Sequence, residues 1–245
     1  MFYQVVRTEL IKLRRAPVWI AFFALTALSA VMGTFNYLSN TAILTKQWYS
    51  LWTQHTLFAG FFFVPSLLGV LCAYLWRLEH LENNWNALIS RPVPLWMIFG
   101  GKLAVAAALS FLTQAATGVF YLMSGLYAGF DAPLPPELPR WLLMGACGGV
   151  AVCSVQLFIS MAVRSFAPPV AVALAGGVAG LAFTSAGLGL IQPYALVALG
   201  MDANGMGALA SEQYAAFFAS CAAYTAIPWA LATLWLGRRD VTTHS

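Results

Sequence analysis

What this sequence has least of is charge. Only 8% of its 245 residues are Asp, Glu, Lys or Arg, while 61% are hydrophobic. Soluble domains carry about 25% charged and about 45–50% apolar residues, so a soluble fold of this composition could not clothe its surface. The six long apolar runs, near 17–38, 56–76, 103–130, 141–163, 167–191 and 213–236, contain no Asp, Glu, Lys, Arg or His. That absence speaks against a proton- or sodium-coupled carrier, which keeps ionisable groups in its bundle at a cost of about 2.5–3.5 kcal/mol or more each. Rings of charge for channel selectivity are missing too. No carboxylate pair or Ser/His/Asp set lies at membrane depth, which makes an intramembrane hydrolase a poor fit. There is no G-x-x-x-x-G-K-[ST] loop: Gly100-Gly101-Lys102 is followed by Leu103 and has no glycine at the required upstream position, so the chain alone is not expected to bind ATP or any other cofactor. Cys72, Cys147, Cys153 and Cys221 fall inside apolar runs without C-x-x-C spacing and read as small buried side chains. His55, His80 and His244 are scattered, and neither a metal site nor a nucleic-acid partner is expected.

What is present is an all-α integral membrane protein, with 1–245 forming one transmembrane domain of six helices. Each run can cross about 30 Å of hydrocarbon at about 1.5 Å per residue, and the third is longer than a crossing needs. Pro65, Pro168, Pro169 and Pro228 lie in or at the ends of runs, where neighbours can satisfy freed carbonyls. Trp19, Trp76, Trp141 and Trp235 are placed to suit the headgroup belt. Residues 1–16 form a basic amphipathic interfacial helix, with Arg7, Lys12, Arg14 and Arg15 on it and Glu9 three residues before Lys12.

The basic residues orient the chain. With an even span count, Arg7, Lys12, Arg14, Arg15, Arg77, Arg91, Lys102, Arg164, Arg238 and Arg239 share one side, and only Lys46 and Arg140 lie on the other. The positive-inside rule then puts both termini in the cytoplasm. Outside, Trp48, Tyr49 and Trp52 mark 39–55 as a segment at the outer interface. Gln192-Pro193 breaks a chargeless stretch too long for one crossing, so 192–212 is expected to re-enter the membrane's outer side between spans five and six. A slack apolar loop is the other reading. Gly125/Gly129, Gly145/Gly149 and Gly176/Gly180 are G-x-x-x-G pairs of the kind that lets helices approach closely.

The longest polar interruption is 77–101, between spans two and three. Leu78, Leu81, Trp85, Leu88 and Ile89 recur at steps of three and four, with Glu79, His80, Glu82, Asn83, Asn84 and Asn86 mostly on the other faces. Arg91-Pro92-Val93-Pro94 stops that helix. The pattern predicts a cytoplasmic surface helix with an acidic, amide-rich side towards water. Helices held by lipid alone are rich in Lys and Arg, so Glu79 and Glu82 against Arg77 suit a protein groove better. A solvated interfacial helix with no partner is the alternative.

Glu79, Glu82, Asn83, Asn84, Trp85, Leu88, Pro92, Val93, Gly101 and Lys102 carry a resemblance. An acidic residue, then Asn-x-Trp-x-x-Leu-x-x-x-Pro-Val and a later Gly-Lys, resembles the cytoplasmic coupling segment of type-2 ABC exporter permeases, most of all the bacitracin-resistance and lantibiotic-immunity branch. The resemblance implies a coupling helix whose Glu79, Glu82, Asn83, Asn84, Trp85, Arg91 and Pro92 serve a separate ABC ATPase subunit, which binds the ATP and Mg. It also implies a second permease subunit, identical or paralogous, and a place in the bacterial cytoplasmic membrane. The expected function is export of a hydrophobic or amphipathic substrate, such as a peptide antibiotic, with Asn36, Gln114 and Gln156 as candidate substrate contacts. A non-transporting scaffold or sensor that recruits a cytoplasmic protein through 77–90 is the alternative.

Overall fold

The computed structural model describes residues 1–81, 93–206 and 209–238. Among them there are helices and no strand. Helix α1 (Phe2–Leu13) is followed by Pro17 and then α2 (Val18–Ser39). The next helix is continuous in three parts: α3 (Gln47–Phe58), a π-helical turn at Ala59–Phe63, and α4 (Val64–His80). After it come α5 (Leu95–Tyr127), α6 (Leu138–Ala162) and α7 (Ala167–Ser185). A short buried helix, α8 (Ala195–Gly200), precedes α9 (Tyr214–Arg238).

Six helices are long and apolar enough to cross a membrane: Val18–Ser39, Gln47–His80, Leu95–Tyr127, Leu138–Ala162, Ala167–Ser185 and Ser211–Gly237. The protein is thus a multi-pass membrane protein. Two helices outrun the chargeless runs that mark them in the sequence. The second begins at Gln47 rather than 56, because Trp48 and Trp52 are buried in the bundle instead of lying flat at an interface. Trp52 stacks on Trp141 at 5.2 Å and meets Tyr121 edge-on at 5.0 Å. The third begins at Leu95 and so takes in Lys102. Its 33 residues make about 50 Å of helix at about 1.5 Å per residue.

Side-chain bonds sort the helix ends into two groups. Gln47 donates to Asp131 (2.6 Å), Trp48 to the Ala132 carbonyl (2.8 Å), Tyr49 to Glu137 (2.9 Å) and Arg140 to Tyr214 (2.8 Å), so these turns share one end. Gln47 holds the exposed Asp131 carboxyl below the usual carboxylate range. At the opposite end His80 meets the Ser160 carbonyl (2.9 Å) and Trp229 donates to the Trp96 carbonyl (3.0 Å). Trp76 and Trp141, expected at the headgroup belt, are buried; Trp19 and Trp235 are half-buried.

The π turn answers to Pro65. A proline lacks the N–H that would bond the carbonyl four residues earlier, here that of Phe61. A Cβ on Gly177 of α7 would lie 2.4 Å from that oxygen, so the bare glycine lets α7 close over it. Helix α8 is packed in the same manner. All six of its residues are buried, and a Cβ on Gly148 of α6 would sit 2.5 Å from the Leu196 carbonyl. Trp52 donates to the Met201 carbonyl (2.8 Å) and the Asn204 amide to Thr56 (3.0 Å), tying the segment after α8 to α3. The glycines of 145/149 and 176/180 face Gln114, Met201, Ser110, Tyr194 and Ala195 of the same chain.

Candidate functional site

The inward stripe of α4 is read from its buried residues: Leu68, Leu71, Cys72, Leu75, Trp76 and then Glu79. Each of these residues has others of the series three or four positions away, as one face of a helix requires. Glu79 is therefore the last residue of a packed stripe. It is 4% exposed, which corrects the expectation that it faces water. Leu81, expected on the apolar side, is 48% exposed. The helix ends at His80, and Leu81 is extended (φ −86°, ψ 146°). Residues 77–80 and 95–101 of the coupling segment thus belong to the two long helices. The expected roles of Glu82, Asn83, Asn84, Trp85, Arg91 and Pro92 fall outside the described residues.

Glu79 is buried because charge of the opposite sign is buried with it. Lys102, on the second turn of α5, is fully enclosed. Its ammonium donates to Glu79 Oε1 (2.8 Å), Glu9 Oε2 (2.9 Å) and the Leu75 carbonyl (2.6 Å), which uses all three of its donors. Its Nζ also lies 4.8 Å from the ring centre of Trp76. Lys12 completes the group, at 2.7 Å from Glu9 Oε1 and 2.5 Å from Glu79 Oε1. Burial alone would lower the Lys12 pKa; the carboxylates of Glu9 and Glu79 outweigh it and hold the group above the ordinary lysine value. Two carboxylates and two ammoniums leave no net charge, so the cluster can exist in a low-dielectric junction where one ion alone could not. The second oxygen of Glu79, Oε2, is buried without a hydrogen-bond partner.

Three segments meet here: α1 through Glu9 and Lys12, the end of α4 through Glu79, and the start of α5 through Lys102. The approach of α1 depends on Gly101, where a Cβ would come 2.6 Å from Val5 Cγ1. Phe2 stacks on Trp96 at 6.2 Å beside it. The Glu9–Lys12 spacing is legible in the sequence, but the meeting of that pair with Glu79 and Lys102 is not. The available signal was the α4 stripe, which reaches Glu79 when it is extended down from Leu68.

The three candidate substrate residues are held separately. Asn36 Nδ2 donates to Gln54 (2.6 Å) and Gln114 Nε2 to Met201 Sδ (3.4 Å). Gln156 is bonded to the Tyr194 hydroxyl at 2.7 Å. Gln114 and Gln156 are 2% and 0% exposed, so they tie α5 and α6 to the segment around α8; of the three, Asn36 is the one with appreciable access. Among the described residues no group of His, Cys, Asp and Glu could hold a metal ion.

A family model described as "ABC-2 family transporter protein" matches residues 5–180. The match takes in Glu9, Lys12, Glu79 and Lys102 and ends within α7. No curated protein and no solved structure matches the chain. A match over well over half the length of this membrane bundle identifies its kind: the chain belongs to the ABC-2 transporter family, as a membrane permease component, and that family implies an ABC ATPase partner.

Proposed function

We propose that this permease exports a hydrophobic or amphipathic substrate, such as a peptide antibiotic or drug, in self-protection or resistance. Two permease subunits, identical or paralogous, form the pathway, and two separate ATPase subunits bind ATP and Mg on the cytoplasmic side of a bacterial inner membrane. The 82–92 segment receives the ATPase. Support for a greasy substrate comes from the uncharged stretches between Thr56 and Trp76 and between Leu103 and Phe130.

The observation that carries the coupling is the buried Glu9–Lys12–Glu79–Lys102 cluster. It stands directly before 82–92 in the chain and joins two spans to the interfacial helix. A push on that segment therefore reaches α4, α5 and α1 together. Sliding α4 alone would pull Glu79 from both lysines and leave unpaired buried charge, a change that costs about 3–5 kcal/mol. The junction thus moves as a body.

The test is affinity purification in mild detergent, followed by reconstitution with whatever P-loop ATPase accompanies the chain. The expected result is ATP-dependent movement of an amphipathic probe peptide in proteoliposomes. It is lost in Lys102→Met although the ATPase still co-purifies. Absence of any P-loop protein from the eluate would overturn the reading in favour of a scaffold or sensor.

A further inference from the structure

At the same end of the bundle as the charge cluster, α4 and the α6–α7 turn enclose a second polar feature. Arg77, His80, Ser160, Arg164, Ser165 and Phe166 line a shallow cleft with an internal volume of about 10 Å³, opening directly to solvent. Its charge is of one sign. Among the described residues neither Arg77 nor Arg164 has a carboxylate partner, since the four ion pairs there all belong to the Glu9–Lys12–Glu79–Lys102 cluster. Arg77 leans over the Phe166 ring, 5.8 Å from its centre, which holds the guanidinium at the rim.

Ser160 lines the same cleft. It is 2% exposed, and its Oγ has no hydrogen-bond partner. Its carbonyl is taken by His80 Nε2 at 2.9 Å. A buried hydroxyl left without a partner is costly, and a bound acceptor would recover that cost. The start of α7 adds little, because Pro168 and Pro169 in its first turn carry no N–H. The recognition therefore rests on side chains.

We propose that this cleft binds the phosphate group of an anionic phospholipid from the cytosolic leaflet. The guanidiniums of Arg77 and Arg164 bind phosphate oxygens in forked pairs, and Ser160 and Ser165 donate their hydroxyls. A lipid fits better than a free ion because the rim continues into apolar surface. Phe166, Leu174 and Val178 are exposed on one side of α7, giving the acyl chains a face to lie on. Basic pockets between membrane helices on the cytosolic side hold headgroups in this way. The inference goes beyond the exporter reading and depends on it only for which leaflet the cleft faces.

The experiment uses the purified full-length chain in a zwitterionic detergent, without its ATPase. Thermal unfolding is followed against added phosphatidylglycerol, phosphatidylcholine or inorganic phosphate. Phosphatidylglycerol is expected to raise the Tm and phosphatidylcholine not to. The double variant R77Q/R164Q should weaken the phosphatidylglycerol response about tenfold or more, with an unliganded Tm near that of the wild type. Ser160→Ala should weaken it less. An equal response to phosphatidylcholine, or an unchanged phosphatidylglycerol response in R77Q/R164Q, overturns the site. A full response to inorganic phosphate alone overturns the lipid and leaves a soluble anion as ligand. If R77Q/R164Q does not fold, Ser160→Ala alone decides, and a wild-type response from it overturns the proposal. Because the measurement needs no ATPase, its failure is separate from failure of the exporter reading.

Discussion

The Lys102 ammonium lies 2.8 Å from the Glu79 carboxylate, and neither side chain reaches solvent to any useful degree. The two residues stand 23 positions apart, on the helices that enter and leave the 82–92 segment. Glu9 and Lys12 close the group from a third helix. Among the described residues, all four ion pairs lie in this cluster and hold α1 to both spans. Its stability is conditional, since each ion is tolerated because the others are present.

That condition gives the first prediction. Lys102→Met alone leaves two buried carboxylates against one ammonium and should cost about 3–5 kcal/mol, as should Glu79→Gln in lesser measure. The double variant E79Q/K102M retains the balanced Glu9–Lys12 pair and should be more stable than Lys102→Met alone. A double-mutant cycle from thermal unfolding in detergent should show coupling above about 1 kcal/mol. Additive effects would mean that the pair does not interact.

The second prediction separates two acidic residues that look alike in the sequence. Glu79→Lys sets a third ammonium against Lys12 and Lys102 and should sharply reduce the yield of folded, monodisperse protein. Glu82→Lys should leave folding intact and, on the proposed coupling, reduce ATPase co-purification. Size-exclusion profiles of the two variants make the comparison. Equal behaviour would remove the distinction between the buried and the coupling carboxylate.

Backbone contact between α6 and α8 gives the third. Gly148→Ala must push apart two main chains, because the nearest atoms to a new Cβ are the Leu196 carbonyl carbon and oxygen at 2.5 Å. Overpacking of this kind costs about 1–3 kcal/mol. Gly237→Ala, whose nearest neighbour is a flexible Leu95 methyl at 3.7 Å, should be neutral or slightly stabilising, as alanine favours the helix. A neutral Gly148→Ala would show that α8 does not lie against α6.

Sidedness is the fourth. In a background without native cysteines, Ser165→Cys and Ala132→Cys stand at opposite ends of the bundle and are both exposed. An impermeant maleimide applied to intact cells should label Ala132→Cys and leave Ser165→Cys unmodified until the membrane is opened. Labelling of both from outside would break the six-span alternation.

The bundle was legible because hydrocarbon imposes a local rule. Runs such as 141–163 need no partner to declare that they cross a membrane, and α6 at Leu138–Ala162 nearly coincides with that run. The turns at Gln47–His55 were not legible in the same way. Their Gln, Ser, Thr and His residues lower the hydropathy, yet Trp48 and Trp52 are buried by Tyr121 and Trp141, which arrive from α5 and α6. The acidic side assigned to 77–90 misled at Glu79. Periodicity within the segment does not carry this information, because the facing of residues 77–80 is inherited from the packing of α4.

By itself, the amino-acid order settled that this is a helical membrane protein with six spans and a basic amino-terminal helix. Those properties are sums over neighbouring residues: apolar length and local charge. Only the tertiary structure decided which charges face inward. Whether a carboxylate such as Glu79 can leave water depends on ammoniums brought to it from 67 positions before and 23 after, and proximity of that kind is a property of packed helices.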